Sequence, residues 1–246
     1  MGIFSGKIAL VTGSTSGIGE ASAKMLADEG ADVILVGRNE IKAKAIVNEI
    51  IESGGKATFF SCDVSDENNV KALAGVIEEK YHQVDILFNN AGIMPPSVEI
   101  EKMEEKDWKR TFEINVEGTF CVTRYLKKYI LKAKGCIINN ASIAGMHSYV
   151  TGRSYPYSAS KAAIIQFSRQ MALNYAEDGV RVNCICPGII DTPILGNRDR
   201  KEYAKRIPLG YVGMPEDVAK VVCFLASESA SYLTGVVIPI DGGVSL

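Results

Sequence analysis

The sequence predicts an α/β fold, a three-layer α/β/α sandwich around a doubly wound, seven-stranded parallel sheet. Short β-branched apolar runs occur seven times, separated by longer stretches with helical periodicity. Most of these runs are apolar throughout rather than alternating, the pattern of strands covered on both faces. A chain of 246 residues, 47% hydrophobic and 23% charged, suits one large core, so residues 1–246 are read as a single domain.

In chain order the strands are expected at Ile8 to Thr12, Val33 to Val36, Ala57 to Cys62, Val84 to Asn89, Cys136 to Asn140, Val180 to Ile185 and Val236 to Ile240. A first helix follows the first strand from Glu20 to Glu29 and ends at Gly30. A long helix, Lys106 to Leu131, carries a stripe of Phe112, Val116, Thr119, Thr123, Leu126 and Ile130 at spacings of four and three. Another, Pro156 to Asp178, repeats the pattern in Ile164, Phe167, Met171 and Tyr175 and stops at Asp178-Gly179. Asp191 to Tyr211 breaks the rhythm; mixed, charged and bracketed by Pro193 and Pro208, it reads as an excursion over a site.

Composition narrows the partners. Net charge is −2, with 27 basic and 29 acidic residues interleaved, which argues against nucleic acid or a membrane surface. No apolar run approaches the roughly eighteen residues of a span, and Met1 to Lys7 lacks a secretory pattern, so a cytoplasmic location is expected. Cys62, Cys121, Cys136, Cys184, Cys186 and Cys223 lie in apolar surroundings without CxxC spacing, which predicts free thiols and no metal site.

Directly after the first strand stands Thr12-Gly13-Ser14-Thr15-Ser16-Gly17-Ile18-Gly19. Glycines at 13, 17 and 19 permit a tight turn, close backbone approach and close helix packing, so that a helix N-terminus faces a pyrophosphate. At the end of the second strand, Val36-Gly37-Arg38-Asn39 lacks the carboxylate that would repel a 2′-phosphate, and Arg38 offers a planar cation. NADP(H) is therefore expected ahead of NAD(H), although an arginine there is also compatible with a solvated surface role.

With Asn89-Asn90-Ala91-Gly92, Asn115, Ser142, Tyr157-Ser158-Ala159-Ser160-Lys161 and Pro187-Gly188 added to the glycine pattern, the chain resembles the short-chain dehydrogenase/reductase family from Ser5 to Gly243. The resemblance implies the Rossmann fold and hydride transfer between a nicotinamide and a carbonyl or secondary alcohol. It implies that Tyr157 transfers the proton, Lys161 holds the nicotinamide ribose, Ser142 orients the substrate oxygen, and Asn115 supports a water-linked path behind the lysine. Asp63 and Val64 would meet the adenine, Asn90 to Gly92 the ribose, and Pro187, Gly188, Ile190 and Thr192 the carboxamide. Outside the resemblance, Ser142 caps a turn, Asn115 bonds backbone within its helix, Asp63 serves a helix start and Pro187-Gly188 is a simple turn.

The chemistry asks for an acidic donor. A phenol would have to drop from about 10 towards 7, worth about 4 kcal/mol, and Lys161, one turn on and on the same face, would favour the phenolate as an ammonium. Family members often place about thirteen residues between serine and tyrosine; here the separation is fifteen, and Tyr155 would restore the shorter spacing. Tyr155 is six residues from Lys161, on a different helix face, so Tyr157 is preferred. The loop Gly145 to Pro156 is then read as lengthened.

The family often reduces 3-oxoacyl chains on an acidic carrier protein met by basic side chains; Ala133 and Asp178 occupy those positions here, which disfavours that partner. Ile93, Met94, Pro95, Ile143, Met146, Tyr149, Ile189, Ile194 and Leu195 form a mostly apolar candidate pocket. An uncharged lipophilic alcohol or ketone such as a hydroxysteroid is expected, with a polyol or sugar acid behind it, since Arg153 or Arg198 would suit a carboxylate. A non-catalytic cofactor-binding sensor remains a distant alternative. The resemblance also implies a homotetramer in which the two long helices pair across a two-fold axis.

Overall fold

The strands occur where the apolar runs stand because consecutive residues must face two separate cores. Residues 2–147, 154–197 and 199–246 are described by the structure, a computed structural model. Among them a single sheet has the strands β1 (Ile8–Thr12), β2 (Asp32–Gly37), β3 (Lys56–Ser61), β4 (Ile86–Asn89), β5 (Cys136–Asn140), β6 (Arg181–Pro187) and β7 (Val237–Ile240). Their order is β3-β2-β1-β4-β5-β6-β7, and every pairing is parallel. Ala9 and Val11 enter one core with Leu35, Phe88 and Ile138, while Leu10 enters the other with Ile34, Leu87 and Ile137. Both faces are dry, hence no alternation.

Helices α1 (Gly17–Asp28), α2 (Glu40–Glu52) and α8 (Pro215–Ala226) cover the first face; α3 (Glu67–Val76), α5 (Gly118–Ala133) and α6 (Tyr155–Tyr175) cover the second. Two shorter helices complete the chain, α4 (Glu105–Phe112) and α7 (Arg200–Ala204). No helix among the described residues is long and apolar enough to cross a membrane. All six cysteines are free thiols, five of them buried.

Several element ends shift by one to three residues from the sequence reading, α6 stopping at Tyr175 rather than Asp178 and β6 running on to Pro187, and three departures bear on the site. β4 starts at Ile86 rather than Val84 because Asp85, a buried carboxylate, accepts from the Ile8 amide (2.9 Å), Lys7 Nζ (3.0 Å) and Gln83 Nε2 (3.1 Å) and so ties the strand start to β1. α1 begins three residues earlier than expected, inside the glycine turn. The long helix is continuous but contains a π-helical turn, Glu113–Glu117, between α4 and α5. Such a turn takes up an extra residue, so just before and within it Thr111, Ile114 and Asn115 are buried in place of Phe112 and Val116, whereas Thr119, Thr123, Leu126 and Ile130 lie on the buried face as expected.

Candidate active site

Parallel strands all end on one edge, and β1 is flanked by β2 on one side and β4 on the other, so a crevice opens at that edge where the winding reverses. A cleft of about 720 Å³ occupies it. Its floor is built from strand ends by a chain of polar contacts. Thr12 Oγ1 accepts from the amides of Asn90 (3.0 Å) and Ala91 (3.1 Å). The Asn90 amide group donates to the carbonyls of Thr12 (3.0 Å) and Gly13 (3.1 Å) and accepts from Asn140 Nδ2 (2.8 Å). Asn140 in turn receives Lys161 Nζ on its carbonyl at 2.6 Å.

The glycine turn is shaped for a close neighbour. Gly13 has φ +63°, and a Cβ there would stand 2.8 Å from the Ala91 Cα. Gly19 lies so close to the turn that a Cβ would meet the Gly13 carbonyl oxygen at 2.3 Å. Ser16 stands at the N-cap of α1 without a side-chain cap bond, which leaves the first-turn amides of the helix available to a ligand. Ser16, Gly17 and Ile18 line the cleft, as do Gly13, Arg38, Asp63, Val64, Asn90, Ala91, Gly92, Ser142, Tyr157, Lys161, Pro187, Gly188, Ile190 and Thr192.

Three residues singled out from sequence stand behind this wall. Ser14 is fully buried and spends its hydroxyl on β2, accepting from the Val36 amide at 2.9 Å. Gly19 is enclosed by the turn itself. Asn115, on the π turn, bonds the backbone of Ile93 in both directions, accepting from its N–H (2.8 Å) and donating to its C=O (3.0 Å), and donates to Ser160 Oγ (3.0 Å). Its partners are on other elements, not in its own helix.

Tyr157 and Lys161 are one turn apart near the start of α6, with Lys161 Nζ 5.7 Å from the phenol ring centroid. The Ser142 hydroxyl, at the N-cap of the short 3-10 turn Ile143–Gly145, hydrogen-bonds the Tyr157 side chain. Tyr155 is exposed at the first position of the helix, outside the cleft lining. Burial pushes the Tyr157 phenol above its usual range, and the Ser142 bond offsets this only in part. Burial likewise pulls the Lys161 ammonium down to about 8. Desolvation opposes both charges.

At the far end of the cleft Arg38 is largely exposed. Asp63 lies 3.5 Å from its guanidinium but is held by Ser65 Oγ (2.6 Å) and Arg110 (3.1 Å), which together keep its carboxyl below the usual range despite partial burial. Of the apolar pocket expected from sequence, Ile93, Met94, Ile143, Ile189, Ile194 and Leu195 line the cleft. Pro95 and Met146 do not line it, and Tyr149, Arg153 and Arg198 lie outside the described residues. Tyr203 and Arg206 line it unanticipated. Asp199, a helix-capping residue type three positions before Glu202, was the available signal that the excursion carries a helix.

Comparison with known proteins agrees with this geometry. The family model described as enoyl-(acyl carrier protein) reductase matches residues 13–245. The chain is 38% identical to the 3-oxoacyl-[acyl-carrier-protein] reductase FabG of Thermotoga maritima, over 97% of this chain and 98% of that protein. It is 37% identical to a 3beta-hydroxysteroid dehydrogenase of Mediterraneibacter gnavus, over 99% and 96%. A solved short-chain type dehydrogenase/reductase from Mycobacterium marinum superposes with a TM-score of 0.94 at 32% identity, covering 98% of this chain and 96% of that one. Fold and relatives together define an enzyme that uses a nicotinamide cofactor to interconvert alcohols and ketones. The chain belongs to the short-chain dehydrogenase/reductase family.

Proposed function

We propose that the chain is an NADP(H)-dependent oxidoreductase of secondary alcohols and ketones with a large apolar body, such as hydroxysteroids, and that Tyr157 moves the proton. The observation that carries this is the half-buried Tyr157 and the buried Lys161 side by side in one cleft with the Ser142 hydroxyl bonded to the phenol. The bound nicotinamide supplies the hydride donor or acceptor. The glycine cradle, the uncapped start of α1 and Lys161 are suited to hold the nucleotide; a Cβ at Gly13 or Gly19 would collide with Ala91 or with the Gly13 carbonyl, so the turn keeps this shape only with glycine there.

In reduction Tyr157 gives its proton to the carbonyl oxygen, and its raised affinity for that proton keeps it loaded at neutral pH. Ser142 orients the same oxygen by a hydrogen bond. Lys161 steadies the phenolate that remains and Asn115, fixed by Ile93 and Ser160, holds the space behind it. In oxidation the steps reverse, with the phenolate as base. Arg38 favours NADP(H) because it lines the cleft, is largely exposed, and shares its Asp63 partner (3.5 Å) with the closer Arg110 (3.1 Å). The apolar lining of Met94, Ile143, Ile189 and Ile194 supports the substrate class.

The 3-oxoacyl thioester is the second reading, favoured by the Thermotoga relative's name; Ala133 and Asp178 speak against its carrier protein. The chain acts as one unit, with residues 191–211 covering substrate, as a homotetramer. Six free thiols suit a reducing cytoplasm. The test is a pair of variants assayed on a steroid ketone by NADPH oxidation: Tyr157→Phe is expected to lower kcat at least a thousandfold, Tyr155→Phe less than threefold. The reverse order overturns the assignment.

A further inference from the structure

The excursion is pinched at its base, where Ile190 bridges Gly213 and the Asp191 amide donates to the Gly213 carbonyl at 2.8 Å. It is therefore tied down at its base, and α7 together with the turn that follows it presents Tyr203 and Arg206 to the cleft. Arg206 differs from the other charged residues of the lining. Arg38 faces Asp63, Asp63 is held by Arg110, and Lys161 is bound to the Asn140 carbonyl. Arg206 makes no ion pair with any described carboxylate. The acids beside it are engaged elsewhere: Asp191 with Arg200 (2.8 Å), Glu202 with Lys205, and Asp199 with the Lys201 amide.

The guanidinium is nevertheless placed. Its carbon lies 5.9 Å from the centroid of the half-buried Tyr203 ring, close enough for cation–π attraction to restrain it. The same cleft is lined by Ile194 and Leu195 from the excursion and by Ile189 just after β6. An unpaired cation is inexpensive there while water reaches it. Once an apolar body fills the cleft and displaces that water, the planar fork gains most from two parallel hydrogen bonds to a carboxylate.

We infer that Arg206 is an anion-recognising, specificity-determining residue and that the preferred substrate is an apolar alcohol or ketone bearing a carboxylate at a distance from the reacting carbon. The inference rests on the apolar-substrate reading above. A single guanidinium matches one negative charge, so a monoanionic carboxylate fits better than a phosphate dianion.

The test uses the full-length enzyme with NADP+ present and two carboxylic acids, 4-hydroxycyclohexanecarboxylate and a 3-hydroxysteroid with a side-chain carboxylate, each beside its neutral primary amide. Calorimetric Kd values, taken with NADPH in place of NADP+ so that the hydroxy compounds bind without reacting, and steady-state KM values with NADP+ are measured for the parent, Arg206→Met and Arg206→Lys. At least one acid is expected to bind about tenfold more tightly than its amide. Arg206→Met should remove that preference through KM, with kcat and amide binding within twofold, and Arg206→Lys should restore part of it. Equal binding of acid and amide by the parent, or a preference that survives Arg206→Met, overturns the inference and leaves the apolar reading standing. Failure of all four compounds to bind overturns both.

Discussion

Lys161 shows that a group's value to a reaction and its cost to the fold are separate quantities. Its ammonium is held down to about 8 from 10.5 by burial, so below pH 8 folding carries a penalty of about 3 kcal/mol, which fades as pH rises towards 10.5. Lys161→Met should therefore abolish turnover while raising the stability of the nucleotide-free protein at pH 7, and the gain should vanish near pH 10; urea unfolding at the two pH values checks it. Arg38 offers a second test at this scale. Arg38→Ala should raise the Kd of NADPH about tenfold or more and that of NADH less than twofold, read by fluorescence titration. The residue types at 13, 157 and 161 were legible in sequence because their spacing alone states their geometry. Arg110 and Arg206 were not, since a cation's importance depends on which carboxylates the fold leaves it.

Among the elements, the strands were the most legible, because a strand dry on both faces must be apolar at every position. The long helix was legible as an element but not in phase: no propensity marks Glu113–Glu117 as a π turn, and that turn is what brings Asn115 into the interior beside Ile93 and Ser160. The first strand, its turn and the helix after it are closely packed. Gly19→Ala forces a Cβ to 2.3 Å from the Gly13 carbonyl and 2.5 Å from Asn90 Nδ2, and the turn must open to accept it. Overpacking of this kind costs about 1–3 kcal/mol; the expected outcome is a lower unfolding midpoint in urea together with a tenfold or greater rise in the Kd of the nucleotide.

For the whole molecule, α5 and α6 leave apolar side chains in solvent, with Phe120 48% and Leu173 75% exposed and the Phe120 and Phe167 rings 6.4 Å apart. A chain of 26.6 kDa that assembles through these helices should sediment as a tetramer of about four times that mass, and Phe120→Asp should shift it to smaller species. A stable monomer in the parent protein would remove the assembly. The strand-end chain from Thr12 through Asn90 to Asn140 belongs to the sheet and receives Lys161 from α6, whereas Ile194, Leu195, Tyr203 and Arg206 belong to one stretch anchored between Ile190 and Gly213. These two inheritances are separable. Grafted between the same two anchor points of a relative, this flap would bring its taste for ligands with it while the recipient kept its own choice of coenzyme, so new substrates are reached by exchanging a cover and not by rebuilding the floor.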